Sequence, residues 1–99
     1  MSTLHLLSLR YTAGERAAMP FVAAHVEFLE RHHRDGTFLV SGQTVPADQG
    51  GAIVAAGIDR AAAERVVAED PFVVAGVAAY TITTIDPGRV HPALGDLLR

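Results

Sequence analysis

The sequence predicts an α+β domain of the ferredoxin-like type, with the element order β-α-β-β-α-β. Three observations predict it. Four short apolar segments have the length of strands, two longer segments repeat apolar residues at helical spacing, and glycines or prolines separate them. The chain has 99 residues, 49% of them hydrophobic, which suits one domain with its own core.

The first half of the chain predicts β-α-β. Residues 4–9 are apolar and too short for a helix, so they predict a buried strand. After a connection, Pro20 fits the first turn of a helix, and Gly36 fits its C-terminal end. Residues 37–42 predict the second strand. One stripe of the helix carries Val22, Val26, Leu29 and His33, and beside it lie His25, Phe28 and His32.

The second half repeats this order after a turn-rich loop that contains Pro46 and paired glycines. Residues 51–58 predict the third strand. Asp59 is a good N-cap for a helix over residues 60–70, which directs Ala63, Val66 and Val67 inward. Residues 76–85 predict the fourth strand. We therefore assign residues 1–86 to the folded domain and residues 87–99 to a C-terminal tail of the same domain.

The strands also predict the oligomeric state. The first and third strands are apolar on both faces, and strands of this kind are usually covered on both faces. Two helices cover only one face of the sheet, and a bare apolar face would be an unusually large exposed patch. We therefore predict a two-fold homodimer packed sheet to sheet, with an interface of roughly 1,600 Å² or more.

The composition argues against two classes of partner and indicates where the protein is located. The formal charge is −3 and the eight arginines are scattered, which argues against nucleic acid. No segment approaches the roughly 18 apolar residues of a membrane span, and the N-terminus lacks a secretory signal pattern. The absence of cysteine excludes disulfides, thiol catalysis and thiolate metal sites. We expect a cytoplasmic protein without a membrane or nucleic-acid partner.

Asp70 stands at the join between a predicted helix and a predicted strand, and Pro71 stiffens the backbone after it. An imidazole titrates near pH 6.5, and a carboxylate on its far nitrogen fixes the tautomer. From the residues alone, two interpretations stay open. Asp70 orients His25 of the first helix as an acid/base group, or Asp70 only begins a turn and His25 is an ordinary helix histidine.

Four further residues are candidates for binding a substrate: Ser41, Gly42, Arg10 and Phe72. Ser41, near the end of a strand, is placed either to donate a hydrogen bond to a substrate oxygen or to begin a turn. Arg10 is either an anion-binding residue or a solvated strand-end charge. Tyr11 and Tyr80 are candidates for lining the pocket, although packing in the core or interface accounts for them equally well.

The histidines do not predict a metal site. His25 and His32 are two helical turns apart, about 10.5 Å by helix rise, and the i,i+4 spacing of helical zinc pairs is absent. His32 and His33 are accounted for by their place near a helix C-terminus. The sequence has neither GxGxxG nor GxxxxGK[ST] for nucleotide phosphates, and no GxSxG. We therefore expect no metal and no cofactor.

Three stretches carry a resemblance to a known family: HVEFLERHHRDG with His25, FLVSG with Ser41 and Gly42, and DPFVVAGV with Asp70. Over residues 1 to about 86 the chain resembles the YCII-related, or YciI-like, proteins, which are small dimeric α+β barrels. The Asp-Pro-aromatic-x-x-Ala-Gly string is the most specific of the three. The family often has proline after Ser-Gly, whereas this chain has Gln43, so loop and ligand choice differ there.

The resemblance implies a site and a type of chemistry. A histidine and an aspartate are thought to form the active site of the family, in a cleft beside the sheet, and they correspond to His25 and Asp70. One known family activity eliminates chloride from a chlorinated hydroxyquinone. We expect a cofactor-independent enzyme that eliminates, isomerises or cyclises a small polar organic molecule. The alternative is a non-catalytic small-molecule-binding or accessory protein.

Overall fold

The chain folds into a four-stranded antiparallel sheet with its helices packed against one face, as described by a computed structural model of residues 3–98. The sheet order is β2-β3-β1-β4, in which every neighbouring pair is antiparallel. This is the ferredoxin-like α+β arrangement, so the predicted fold class is confirmed. The strands are β1 (Leu4–Tyr11), β2 (Phe38–Gln43), β3 (Gly51–Ala56) and β4 (Ala78–Ile85).

Two long helices match the predicted ones, and two short helices are additional. The helices are α1 (Glu15–Ala18), α2 (Val22–Arg34), α3 (Arg60–Ala68) and α4 (Pro71–Val74). Pro20 lies in a 3₁₀ turn, Met19–Phe21, that joins α1 to α2, so it does not begin α2 as predicted. A four-residue helix is too short to show periodicity, so the sequence has no pattern that indicates α1 or α4.

Local signals set the ends of the elements. Asp59 caps α3 as predicted, because its Oδ1 accepts from the backbone N–H of Ala62 at 2.7 Å. β3 ends at Ala56 and β4 begins at Ala78, two residues inside the predicted bounds in each case. Gly57 and Gly76, just outside these strands, have φ values of 80° and 74°, a conformation that does not continue a strand.

The core lies between the sheet and the helices. In β1, Leu7 and Leu9 are buried against the helices, whereas Ser8 and Arg10 are exposed on the opposite face. The inward direction of Ala63, Val66 and Val67 is confirmed. One buried cluster contains Leu7, Phe28, Phe38, Ile53 and Ala55, and a second contains Leu9, Ala18, Phe72 and Ala78.

The buried stripe of α2 differs from the predicted one. Phe28 and His32 are buried, whereas Val22 and Val26 are 45% and 41% exposed. The aromatic residue and the histidine fill the core instead, and the two valines lie at a cavity described below.

The open face of the sheet is apolar at one end and polar at the other. Leu6, Val40 and Ile85 are exposed at the apolar end. The C-terminal tail runs near that end and buries Leu98, leaving a cavity of about 540 Å³ between tail and sheet. Within residues 3–98, no helix has both the length and the apolar character needed to cross a bilayer. The polar end carries Ser8, Arg10 and Thr81, and Thr83 lies opposite Leu6.

Candidate active site

A cavity of about 290 Å³ lies between the sheet, α2 and the loop that precedes β3. Its walls are mostly apolar, with Leu9, Ile53 and Phe72 among the lining residues. Few polar residues reach it, as is usual for small-molecule sites. These polar residues are Tyr11, His25, Ser41, Gln43 and Tyr80.

The segment Asp70–Phe72 forms a helix start that points its carboxylate inward. Asp70 is the N-cap of α4, and its Oδ1 accepts from the backbone N–H of Phe72 at 2.9 Å. Pro71 occupies the first helical position, where its missing N–H costs no hydrogen bond. The side chain of Asp70 is fully buried. Asp70 therefore begins a turn, as one interpretation held, and its carboxylate also reaches another element.

That other element is α2, where His25 meets the carboxylate. Its Nδ1 lies 2.9 Å from both Oδ1 and Oδ2 of Asp70. A carboxylate oxygen only accepts, so we assign the proton to Nδ1. Nε2 then carries a lone pair, and no hydrogen bond to it is present within residues 3–98. His25 lines the cavity and its side chain is 14% exposed, so its imidazole is accessible from the cavity.

Phe72 fixes the plane of the imidazole. Its ring stacks on His25 with centroids 4.1 Å apart and an angle of 8° between the planes. The ring of Tyr11 packs edge-on against the ring of Phe72, with the two centroids 6.2 Å apart. Phe72, predicted as a substrate-binding residue, therefore lines the cavity mainly as the platform under His25. The motif Asp-Pro-Phe thus supplies both the carboxylate and the ring that hold one histidine.

Tyr80 of β4 completes the surroundings of Asp70. Its hydroxyl donates to Oδ2 at 2.6 Å. Burial, and then the hydrogen bond to Asp70 and the charge of that carboxylate, raise the pKa of the Tyr80 hydroxyl above its usual range. Tyr80 therefore remains a donor. The sequence predicts Tyr80 only as a lining or packing residue, because its contact with Asp70 depends on how the start of α4 packs beside β4.

Ser41 and Gly42 lie at the cavity, but Arg10 does not. Ser41 is in β2, where its Oγ is 2.8 Å from Nε2 of His33. Arg10 is on the opposite face of the sheet, where its Nη1 donates to Oγ1 of Thr81 at 3.3 Å. Alternation along β1 causes this, because Leu9 and Tyr11 turn toward the cavity. The structure therefore brings together His25, Asp70, Ser41, Gly42 and Phe72 without Arg10.

Two other histidines, His5 and His32, are buried among groups of the protein itself. His5, which sequence reasoning missed, is fully buried in β1. Its Nε2 donates to the carbonyl of Ile58 at 2.8 Å, and its Nδ1 is 2.9 Å from Oγ1 of Thr84. His32 lies between Glu69 and Asp35, each 3.4 Å away. In the part of the chain that the structure describes, no three His, Cys, Asp or Glu side chains are grouped as metal ligands.

Comparisons with known proteins agree with the fold. A sequence profile of the YCII-related domain matches residues 4–86. A search of curated protein sequences gives no match. A similar solved structure is 5-chloro-2-hydroxyhydroquinone dehydrochlorinase from Burkholderia phenoliruptrix AC1100, in complex with 2,5-dihydroxybenzoquinone. It is 21% identical with a TM-score of 0.71, over 86% of this chain and 95% of the other. This likeness shows the α+β fold.

Proposed function

The chain belongs to the YCII-related domain family, and from this membership and the site geometry we propose that it is a cofactor-independent acid/base catalyst for a small organic molecule. One observation carries the proposal. Both oxygens of the buried Asp70 carboxylate face Nδ1 of His25. His25 also lines the cavity, and its second ring nitrogen, Nε2, is not engaged by Asp70. A positioned imidazole of this kind contributes about 10²–10⁴ in rate.

The proposed chemistry needs one proton-transfer group. Nε2 of His25 accepts a proton from the bound molecule, and the imidazolium that forms is stabilised by the ionised Asp70. In an elimination, the electron pair of the broken C–H bond forms a double bond, and the leaving group departs with its own pair. In an isomerisation, His25 returns the proton to a different atom. Ser41 is proposed to hydrogen-bond a substrate oxygen.

The lining of the cavity limits the substrate class. Among the described residues, no Arg, Lys, Asp or Glu lines it, so a carboxylate or phosphate has no ion-pair partner there. An apolar cavity of roughly 150 Å³ holds benzene, so about 290 Å³ has room for a substituted ring. The solved relative holds 2,5-dihydroxybenzoquinone. We therefore propose a hydroxylated single-ring compound or a molecule of similar size and polarity.

We also propose that the protein works as a homodimer through the open face of the sheet. Val40 is 62% exposed there, and Leu6 and Ile85 are each more than one-third exposed. Covering them would remove an apolar patch from water. The polar end of the face, with Ser8 and Arg10, would make the interface mixed rather than fully apolar.

Binding and turnover test the proposed activity together. The probes are 2,5-dihydroxybenzoquinone for binding, measured as a rise in melting temperature, and 5-chloro-2-hydroxyhydroquinone for turnover, measured as chloride release. A panel of hydroxylated single-ring compounds extends both measurements. We expect His25→Ala and Asp70→Asn to lower turnover at least about 100-fold with the fold intact. His91→Gln, an exposed histidine away from this cavity, is the matched control.

The outcomes separate the two functions predicted from the sequence. Turnover that depends on His25 and Asp70 supports the enzyme. Binding without turnover of any compound, unchanged by Asp70→Asn, supports a non-catalytic binding or accessory protein. Turnover that survives both substitutions contradicts the proposed roles of His25 and Asp70.

A further inference from the structure

Asp70 accepts more hydrogen bonds than the orientation of a histidine requires. Oδ1 faces the backbone N–H of Phe72 at 2.9 Å, and Oδ2 faces the hydroxyl of Tyr80 at 2.6 Å. Nδ1 of His25 lies 2.9 Å from both oxygens. Three donors thus surround a buried, acceptor-only group, and each oxygen has one partner besides His25.

The donors on the two oxygens have different origins. The N–H of Phe72 belongs to the cap of α4, so it comes with the Asp-Pro-Phe turn itself. The hydroxyl of Tyr80 comes from β4 and is ten residues away in sequence. Its distance of 2.6 Å is typical of a charge-assisted O–H···O⁻ bond, a strong class of hydrogen bond. The turn therefore fixes only Oδ1, and a second element fixes Oδ2.

Fixing both oxygens prevents the carboxylate from rotating about its Cβ–Cγ bond. If Oδ2 had no second partner, the Phe72 N–H would still hold Oδ1, and Oδ2 could turn away from Nδ1 of His25. His25 would then face one oxygen instead of two. The hydrogen bond from the Tyr80 hydroxyl also partly neutralises the negative charge on Oδ2. The carboxylate therefore attracts the Nδ1 proton of His25 less strongly.

We propose that Tyr80 is a positioning residue of this site, which fixes Oδ2 of Asp70 and thereby sets the strength and geometry of the bond between Asp70 and His25. The inference rests on the proposed function, since it concerns the same acid/base pair. Tyr80 acts on His25 through Asp70, and its own hydroxyl transfers no proton to the substrate. Burial and the adjacent carboxylate, which raise the pKa of this hydroxyl, keep it a donor.

Tyr80→Phe tests the inference by removing one oxygen atom. Loss of this donor concentrates the carboxylate charge on the Nδ1–H bond, so the Nδ1 proton resonance of His25 should move downfield. Tyr11→Phe is the matched control, because Tyr11 also lines the cavity and contacts Phe72, whereas its hydroxyl bonds no group among residues 3–98. The same resonance should stay in place in Tyr11→Phe. If the Nδ1 proton resonance of His25 had the same position in Tyr80→Phe and Tyr11→Phe, the inference would be overturned.

A second measurement avoids any risk that Tyr80→Phe does not fold. The chain has two tyrosines, so growth of Tyr11→Phe on 3-fluorotyrosine labels Tyr80 alone. Fluorine makes the phenol a stronger donor, so the Nδ1 proton of His25 should move upfield, opposite to the hydroxyl deletion. If the Nδ1 proton resonance of His25 did not move when Tyr80 is fluorinated, the proposed role of Tyr80 would be overturned. A wild-type His25 that lacks the Nδ1 proton would instead overturn the proposed function, so the two failures are distinguishable.

Discussion

At the scale of single residues, the site depends on what surrounds one carboxylate. Asp70 is buried, and among the residues that the structure describes three donors from His25, Phe72 and Tyr80 satisfy it. Burial of an ionised group without such donors would be very costly. The same contacts give His25 a defined tautomer and a defined ring plane. Structure and proposed function therefore require the same hydrogen bonds.

Tyr80 should make the stability of the fold sensitive to alkaline pH. Its pKa in the folded chain is raised by burial and by Asp70, whereas an unfolded tyrosine titrates near pH 10. Above about pH 10 the unfolded chain loses this proton while the folded chain keeps it. The free energy of unfolding should then fall by up to about 1.4 kcal/mol per pH unit, and it should be unaffected by this group below pH 10.

Urea unfolding at a series of pH values from 8 to 11.5 measures this slope. The chain has no lysine and no cysteine, so Tyr11 and Tyr80 are the side chains that titrate in this range. Tyr80→Phe should remove most of the slope, whereas Tyr11→Phe should leave most of it. An equal slope in wild type and Tyr80→Phe would show that Tyr80 does not retain its proton in the folded chain.

The sequence identifies only part of the site at this scale. The Asp-Pro-Phe string and the helical histidine point to His25 and Asp70 through the family resemblance, because the residues alone leave a simple turn and an ordinary helix histidine open. Arg10 was assigned without knowing its face, since β1 carries leucines on both faces and alternation is therefore ambiguous. Tyr80 is predicted only as a lining or packing residue, because its bond to Asp70 depends on how the start of α4 packs beside β4.

At the scale of elements, short segments position the site. α4 has four residues, and its N-terminal cap supplies Asp70. Gly50, at the end of the loop before β3, and Gly51, the first residue of β3, line the cavity and pass close to the backbone of β1 and β2. Neither feature has a periodic sequence signal, since a single turn and a close backbone approach depend on tertiary contacts. The long elements, α2, α3 and the four strands, do have such signals and were predicted with end errors of a few residues.

Gly50→Ala should strongly destabilise the protein. A Cβ at this position would collide with the carbonyl oxygen of Leu9, and Gly50 has a φ of 125°, which L side chains rarely adopt. We expect a loss of at least about 2 kcal/mol in the free energy of unfolding. Gly42→Ala is the matched control, because nothing lies within 4 Å of its added Cβ. Chemical denaturation of both variants measures the difference, and equal stabilities would contradict the close approach of this loop to β1.

At the scale of the whole molecule, one face of the sheet carries the helices and the other remains largely open. The sequence predicted this imbalance from strands that are apolar on both faces. It did not predict that Leu98 of the tail is buried or that Ser8, Arg10 and Thr81 make one end polar. Tail contacts join distant parts of the sequence, which pattern analysis cannot place. The homodimer remains a proposal that rests on the exposed apolar residues of this face.

Val40→Glu should prevent the proposed dimer from forming. Val40 is 62% exposed on the open face, so a carboxylate there would have to lose its water in a sheet-to-sheet interface. Val74→Glu, on α4 in the helix layer and 75% exposed, is the matched control. Sedimentation equilibrium should give a dimer for wild type and Val74→Glu, and a monomer for Val40→Glu. A dimer in all three would contradict the proposed interface, and a monomeric wild type would contradict the dimer itself.

The most direct test of the central claim, that Asp70 holds His25 as a base facing the cavity, is the tautomer of His25. A long-range ¹H–¹⁵N spectrum of histidine-labelled protein reports it, and His5 is an internal reference because its Nε2 donates to a carbonyl. In the wild type we predict a proton on Nδ1 of His25 and a proton on Nε2 of His5. In Asp70→Asn we predict that His25 loses its fixed tautomer. A wild-type His25 protonated on Nε2, or one unchanged by Asp70→Asn, would contradict the claim.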